Sequence, residues 1–155
     1  MGWDCITVLI SSEPGDQRAL ARRMIVEAAA ELGVRVGVRS EPSGQPAVTG
    51  SPRPLHVSIT HTRGLVAVAV TGLGPVGVDA EPLRQLDAVA LATKWFSAAE
   101  VRWLREHGLR RQMPAEPERM APVPGLEPLA VTTRLLQNRH LLGIACATQA
   151  PILLR

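Results

Sequence analysis

"LHVSITHTRGLVAVAVTGLGPVGVDAEPLR", residues 55–84, holds the pattern from which the fold is read. "LHVSIT" (55–60) and "LVAVAVT" (65–71) are runs of β-formers separated by "HTRG", and "GLGPVGVDAE" (72–81) adds a turn and a further strand. This last strand ends in two acids, Asp79 and Glu81. Side chains at i and i+2 of a strand point to one face, so the pair sits side by side and repels unless something offsets the charge. Solvent at a strand end accounts for an arbitrary Asp-x-Glu. A divalent cation, magnesium above all, accounts for a functional one, because it takes hard oxygen ligands and completes its shell with substrate phosphates.

Outward from this stretch the chain alternates strands and helices. "WDCITVLI" (3–10) reads as a buried strand. A helix is expected from about Asp16, its N-cap, to Leu32, with Leu20, Met24, Ala28 and Leu32 as an apolar stripe and Gly33 as the stop. Arg18, Arg22 and Arg23 lie on its first two turns. "VRVGVRS" (34–40) alternates like a strand, whereas "EPSGQPAVTGSPRP" (41–54) is turn-rich. Two helices are expected in "LDAVALATKWFSAAEVRWLREHG", the first ending near Thr93 and the second opening with a Ser97–Glu100 capping box. The segment 110–128 is proline-rich and irregular, and "LAVTTRLLQNRHLLG" (129–143) reads as a short helix running into a last strand, "IACA", and a tail, "PILLR" (151–155). The fold class is α+β, in one domain of 155 residues.

Composition narrows the function. No apolar run approaches the roughly 20 residues of a membrane span, and no basic region precedes the first apolar stretch, so no membrane partner or signal peptide is expected. Cys5 and Cys146 have no CxxC or histidine-rich surroundings and read as thiols of a cytoplasmic protein. The net charge is +3 and the basic residues are almost all arginine, which suits bidentate phosphate contacts; Lys94 is the only lysine. One phenylalanine and no tyrosine leave little for stacking on bases, so nucleic acid is not an expected partner. A monomer or small homo-oligomer is expected.

"SGQPAV", "LHVSITHTRGLVAVAV", "GPVGVDAEPLR" and "KWFSAAEVRWL", in this order, resemble the 4′-phosphopantetheinyl transferase superfamily in its surfactin-synthetase-activating type, over roughly residues 15–105. The resemblance implies two small α/β lobes related by a pseudo-twofold, about 1–74 and 75–155, with coenzyme A in the cleft between them. It also implies transfer of phosphopantetheine from coenzyme A to a serine of an acyl or peptidyl carrier protein, with Mg2+ on the pyrophosphate. By the same resemblance Asp79 and Glu81 are the metal ligands, and Asp79, Glu81, Glu100 and His61 form the catalytic set. Arg18, Arg22, Gly44, Pro46, Ser58, Thr60 and His61 would bind the cofactor; Ser58 and Thr60 flank His61 and offer hydroxyl donors to phosphate.

The chain departs from the family in two places. Gln45 stands where a basic residue is usual between Gly44 and Pro46. The family's aromatic-Ser/Thr-x-Lys-Glu-Ala signature has its nearest counterpart in "VTTRLLQNR" (131–139), where Arg134 and Arg139 replace lysines and Leu135 replaces the glutamate. Leucine neither ligates a metal nor accepts a proton. Three functions follow as expectations: an impaired or specialised transferase; a repurposed relative using the carboxylates as acid and base on a small or carrier-tethered biosynthetic intermediate; and a non-catalytic binder of coenzyme A or a carrier protein.

Overall fold

A computed structural model describes residues 3–83, 93–94, 97–107, 118–119, 130–137 and 139–155. Its elements in chain order are β1 (Ile6–Ser11), α1 (Gln17–Glu31), β2 (Gly37–Ser40), β3 (Pro46–Thr49), β4 (His56–Thr62), β5 (Leu65–Thr71), β6 (Val76–Pro82), α2 (Ala98–His107), β7 (Glu118–Arg119), β8 (Ala130–Leu136), β9 (His140–Cys146) and β10 (Ile152–Leu154). The architecture is α+β.

The strands form one sheet in the order β10-β1-β5-β4, a second in the order β6-β9-β8-β7, and the separate β2–β3 hairpin. β5 explains the layering. All seven of its residues are buried, as expected of a central strand with both faces covered. Val66, Val68 and Val70 pack with Leu9 against Leu20, Met24, Ile25 and Ala28 of α1. Leu65, Ala67 and Ala69 face the other way, joining Ile6 and Val8 against Val78, Ala80, Leu142, Ile144 and Cys146 of the second sheet. Alternation along one strand thus places α1 on one side of the first sheet and the second sheet on the other.

α1 ends as its sequence dictates. Asp16 accepts from the N–H groups of Arg18 and Ala19. At the far end Gly33 adopts φ +78°, and the N–H groups of Gly33 and Val34 close on Ala30 and Ala29. This pairing is a Schellman stop that glycine adopts without strain. α2 begins one residue after Ser97, whose carbonyl accepts from the Val101 N–H at 3.0 Å.

Three expectations need correction. Among the described residues of 129–143 there is no helix: β8 and β9 make an antiparallel hairpin, with Gln137 after β8 at φ +47°. The β-branched run Val131-Thr132-Thr133 favours extension, and the long hairpin pairing outweighs a marginal helix. The turn-rich stretch after Glu41 contains β3, whose Val48 and Thr49 pair with Val38 and Gly37 of β2. Pro46 is tolerated there as the first strand residue. The tail is β10, parallel to β1, so the first sheet takes its edge strand from the C-terminal segment. Of the proline-rich segment, Glu118 and Arg119 pair with β8 and the rest lies outside the described residues; of the helix expected to end near Thr93, only Thr93 and Lys94 are described, and both are helical.

The register of β8 and β9 puts Leu142 (0% exposed) inward and Leu135 (46% exposed) outward. Leu142→Ala is therefore expected to cost about 2–5 kcal/mol in chemical denaturation, and Leu135→Ala about 0.5 kcal/mol or less. The opposite order would mean that the hairpin is paired one residue out of step.

Candidate functional site

β4 and β6 are edge strands of different sheets, and they meet through side chains. Val78 donates its N–H to Ser58 Oγ at 3.1 Å, and Ala80 donates to Thr60 Oγ1 at 3.2 Å. The matching two-residue steps mean that the strands run parallel, with hydroxyls standing in for the missing backbone ladder. Thr60 Oγ1 also donates to Asp79 Oδ1 at 3.1 Å. The acid of β6 is thereby drawn to β4.

Strand parity sorts the remaining residues. Val78 and Ala80 enter the shared core, so Asp79 and Glu81 lie on the outer face of β6, where both are exposed. Water screens their mutual repulsion there. On β4, Ser58 and Thr60 serve the seam, while Ile59 and His61 turn toward α1 and the β2–β3 hairpin. Ser58 and Thr60 therefore do not share a face with His61, and the Thr60 proton is committed to Asp79. This corrects the expectation that both hydroxyls flank His61 as phosphate donors. His61 itself is in the strand, not the turn, which is made by Arg63 and Gly64. Counting along the parallel strands from the Thr60–Ala80 contact, His61 and Glu81 both come one residue further on, each on a face turned away from the shared core.

Beside β4 runs a groove in two parts. A depression of about 350 Å3 is lined by Arg18, Arg22, Arg39, Ser40, Gly44 and His61, among others. A larger one of about 780 Å3 continues past Gly44, Gln45 and Pro46 to Ser58 and Val76. The first is basic. The second has neutral walls apart from His56, and their combined scale suits a ligand of drug or cofactor size. α1 supplies Arg18 and Arg22 one turn apart on one face. Arg22 Nη2 donates to Ser40 Oγ at 3.1 Å, fixing the guanidinium over β2, and Gln17 Nε2 donates to the Thr62 carbonyl at 3.1 Å, pinning the first turn of α1 to the end of β4. Arg23 points elsewhere, in an ion pair with Glu13. The loop at Gly44 has φ +85°, with its N–H bonded to the Glu41 carbonyl at 2.8 Å; a tight turn of this shape favours glycine.

Among the expected site residues, Arg18, Arg22, Gly44, Pro46 and His61 come together. Asp79 is hydrogen-bonded to Thr60 of the strand that bears His61, and Glu81 stands beside Asp79 on the outer face of β6; neither acid lines the two depressions. Glu100 lies in the first turn of α2, and its side chain is outside the described residues. Leu135 pairs with Leu141, which pairs with Glu81, so it shares the outer face of the acids but lies two strands away, roughly 10 Å. It lines a separate depression with Ile10, Leu65 and Leu154. Sequence reading missed Gln17, Arg39, Ser40 and His56 because their relevance depends on where the β2–β3 hairpin docks. It also missed Gly143, which sits opposite Asp79 and leaves its flank open: a Cβ there would meet nothing nearer than the Asp79 carbonyl at 4.0 Å.

A magnesium ion fits this donor set in one way. Among the described residues no group of three or more His, Cys, Asp or Glu side chains gathers for a metal, so Asp79 and Glu81 would hold the ion together with phosphate oxygens and water. Magnesium commonly binds in this manner. Among the described residues no helix is long and apolar enough to cross a membrane. Compared with known proteins, the chain matches no family model and no curated protein.

The basic depression predicts a simple binding pattern. Titrated calorimetrically with inorganic pyrophosphate at low salt, Arg18→Ala and Arg22→Ala should each weaken binding about 10-fold or more, since a hydrogen bond to a charged group contributes about 1.5–3 kcal/mol. Arg23→Ala should bind as the parent does. An equal loss in all three would mean that net charge, not this groove, attracts the anion.

Proposed function

We propose that the chain is a phosphopantetheinyl-transferase-like protein that binds coenzyme A along the β4 groove and passes phosphopantetheine to a carrier-protein serine. The observation that carries this is the Thr60–Asp79 hydrogen bond. It couples the acidic end of β6 to the strand that bears His61 and borders the arginine-lined depression. The four sequence motifs give independent support, and the join of two four-stranded sheets at β4 and β6 is compatible with a two-lobed transferase.

In this function Arg18, Arg22 and His61 hold phosphate at the basic end, as guanidinium groups do well. The neutral part of the groove, with Gly44, Gln45 and Pro46, takes the uncharged body of the nucleotide. Asp79 and Glu81 would hold Mg2+, which when bound withdraws charge from pyrophosphate oxygens. The carrier serine oxygen forms a new bond to the phosphorus that bears the pantetheine arm. The bridging P–O bond breaks, and 3′,5′-ADP leaves. The serine proton goes to a carboxylate, for which exposed Glu81 is the best-placed described residue; Glu100 is the other candidate. Leu135, the counterpart by resemblance of the family's glutamate, supplies no carboxylate and lies two strands from the acids, so the proposed transfer relies on Glu81 or Glu100. A repurposed acid–base enzyme is less well supported, because that chemistry calls for an enclosed pair and Asp79 and Glu81 are both exposed. The thiols Cys5 and Cys146 suit a reducing, cytoplasmic setting.

Mass spectrometry of apo carrier proteins incubated with coenzyme A, Mg2+ and the protein tests this directly. Modification is expected, Glu81→Gln should slow it about 100-fold, the lower end of general-base contributions, and Asp79→Ala should abolish its Mg2+ dependence. Coenzyme A binding without modification of any carrier would leave a binder; neither binding nor modification would refute the assignment.

A further inference from the structure

The Thr60 hydroxyl is held from both sides. Oγ1 accepts the Ala80 N–H and donates its only proton to Asp79 Oδ1. Thr60 is 8% exposed and Ala80 2%, so water competes poorly for either bond, and the accepted N–H fixes a rotor that is free in an exposed threonine. On the other flank of Asp79 stands Gly143, which has no side chain; a Cβ there would only touch the Asp79 carbonyl at 4.0 Å. One carboxylate oxygen is thus engaged by a buried partner, on a residue that is exposed as a whole.

We infer that Thr60 is a positioning residue for cation binding. By holding Oδ1 it presents Oδ2 alone, making Asp79 a monodentate ligand and favouring small octahedral ions such as Mg2+ or Mn2+ over Ca2+, which readily takes carboxylates in bidentate fashion. This rests on the metal role of Asp79 proposed above. Ser58 provides an internal control: it accepts the Val78 N–H in the same seam and makes no hydrogen bond to Asp79 among the described residues.

The test is a titration with Mn2+ alone, followed by the electron paramagnetic resonance signal of the free ion, with Ca2+ as competitor. Thr60→Val should lower Mn2+ affinity about 10-fold, as loss of a partner to a metal ligand does, and should shrink the Mn2+-over-Ca2+ preference. Thr60→Ser should restore both. Ser58→Ala should lower the melting temperature and leave both unchanged. If Thr60→Val folds poorly, Thr60→Cys, with its weaker donor, should fall between the serine and valine variants. Wild-type affinity and preference in the valine or cysteine variant would overturn the inference, as would an equal loss in Ser58→Ala. Asp79→Ala separates the two levels. If Mn2+ binding survives it, the metal role itself fails and the inference with it. If Asp79→Ala abolishes binding and Thr60→Val does not weaken it, the inference alone fails.

Discussion

The structure depends on how two sheet edges are joined without a backbone ladder. An edge strand presents unpaired N–H groups, and burying one without an acceptor costs about 1–3 kcal/mol. Val78 and Ala80 are buried at such an edge, and Ser58 and Thr60 supply the acceptors. Because both pairs step by two residues, they fix the parallel register of β4 and β6. A slip of one residue would withdraw both hydroxyls and turn Asp79 and Glu81 into the core. The seam therefore sets, in one stroke, which residues enter the shared core and which acids face out on β6.

The rest of the fold keeps that seam in place. β5 is covered on both faces, so α1 and the second sheet are held against a single rigid strand. α1 is anchored at its start by the Asp16 cap and Gln17, and along its length by the Arg22–Ser40 contact. The same anchors that place the helix also place Arg18 and Arg22 over the groove. Scaffold and candidate site are thus one set of contacts, and a site built on regular elements is positioned more closely than one built on loops.

Much of this was legible in the sequence, and the exceptions have physical causes. α1 was marked by a cap, a 3.6-residue stripe and a glycine stop, and β4 to β6 by alternating β-formers; each signal is local. β8 was obscure because its inward positions include Thr132 and Arg134 as well as Ala130 and Leu136, which blurs the alternation, and its turn has no glycine. β10 is three residues long and gains its identity only by pairing with β1. The shared face of Asp79 and Glu81 was visible from their two-residue spacing. The work of Thr60 was not, although its parity relative to His61 already placed the two on opposite faces of β4. What no local pattern carried was the docking of the β2–β3 hairpin, and with it the groove.

Amide hydrogen exchange of Val78 and Ala80 measures the seam itself. On β6 these two N–H groups point toward β4, where the acceptors found for them are side-chain hydroxyls. The account predicts that both exchange as slowly as core amides of β5, that Ser58→Ala accelerates Val78, and that Thr60→Val accelerates Ala80. Rapid exchange of both amides in the unmodified protein, like that of an open sheet edge, would contradict the joining of the sheets through Ser58 and Thr60.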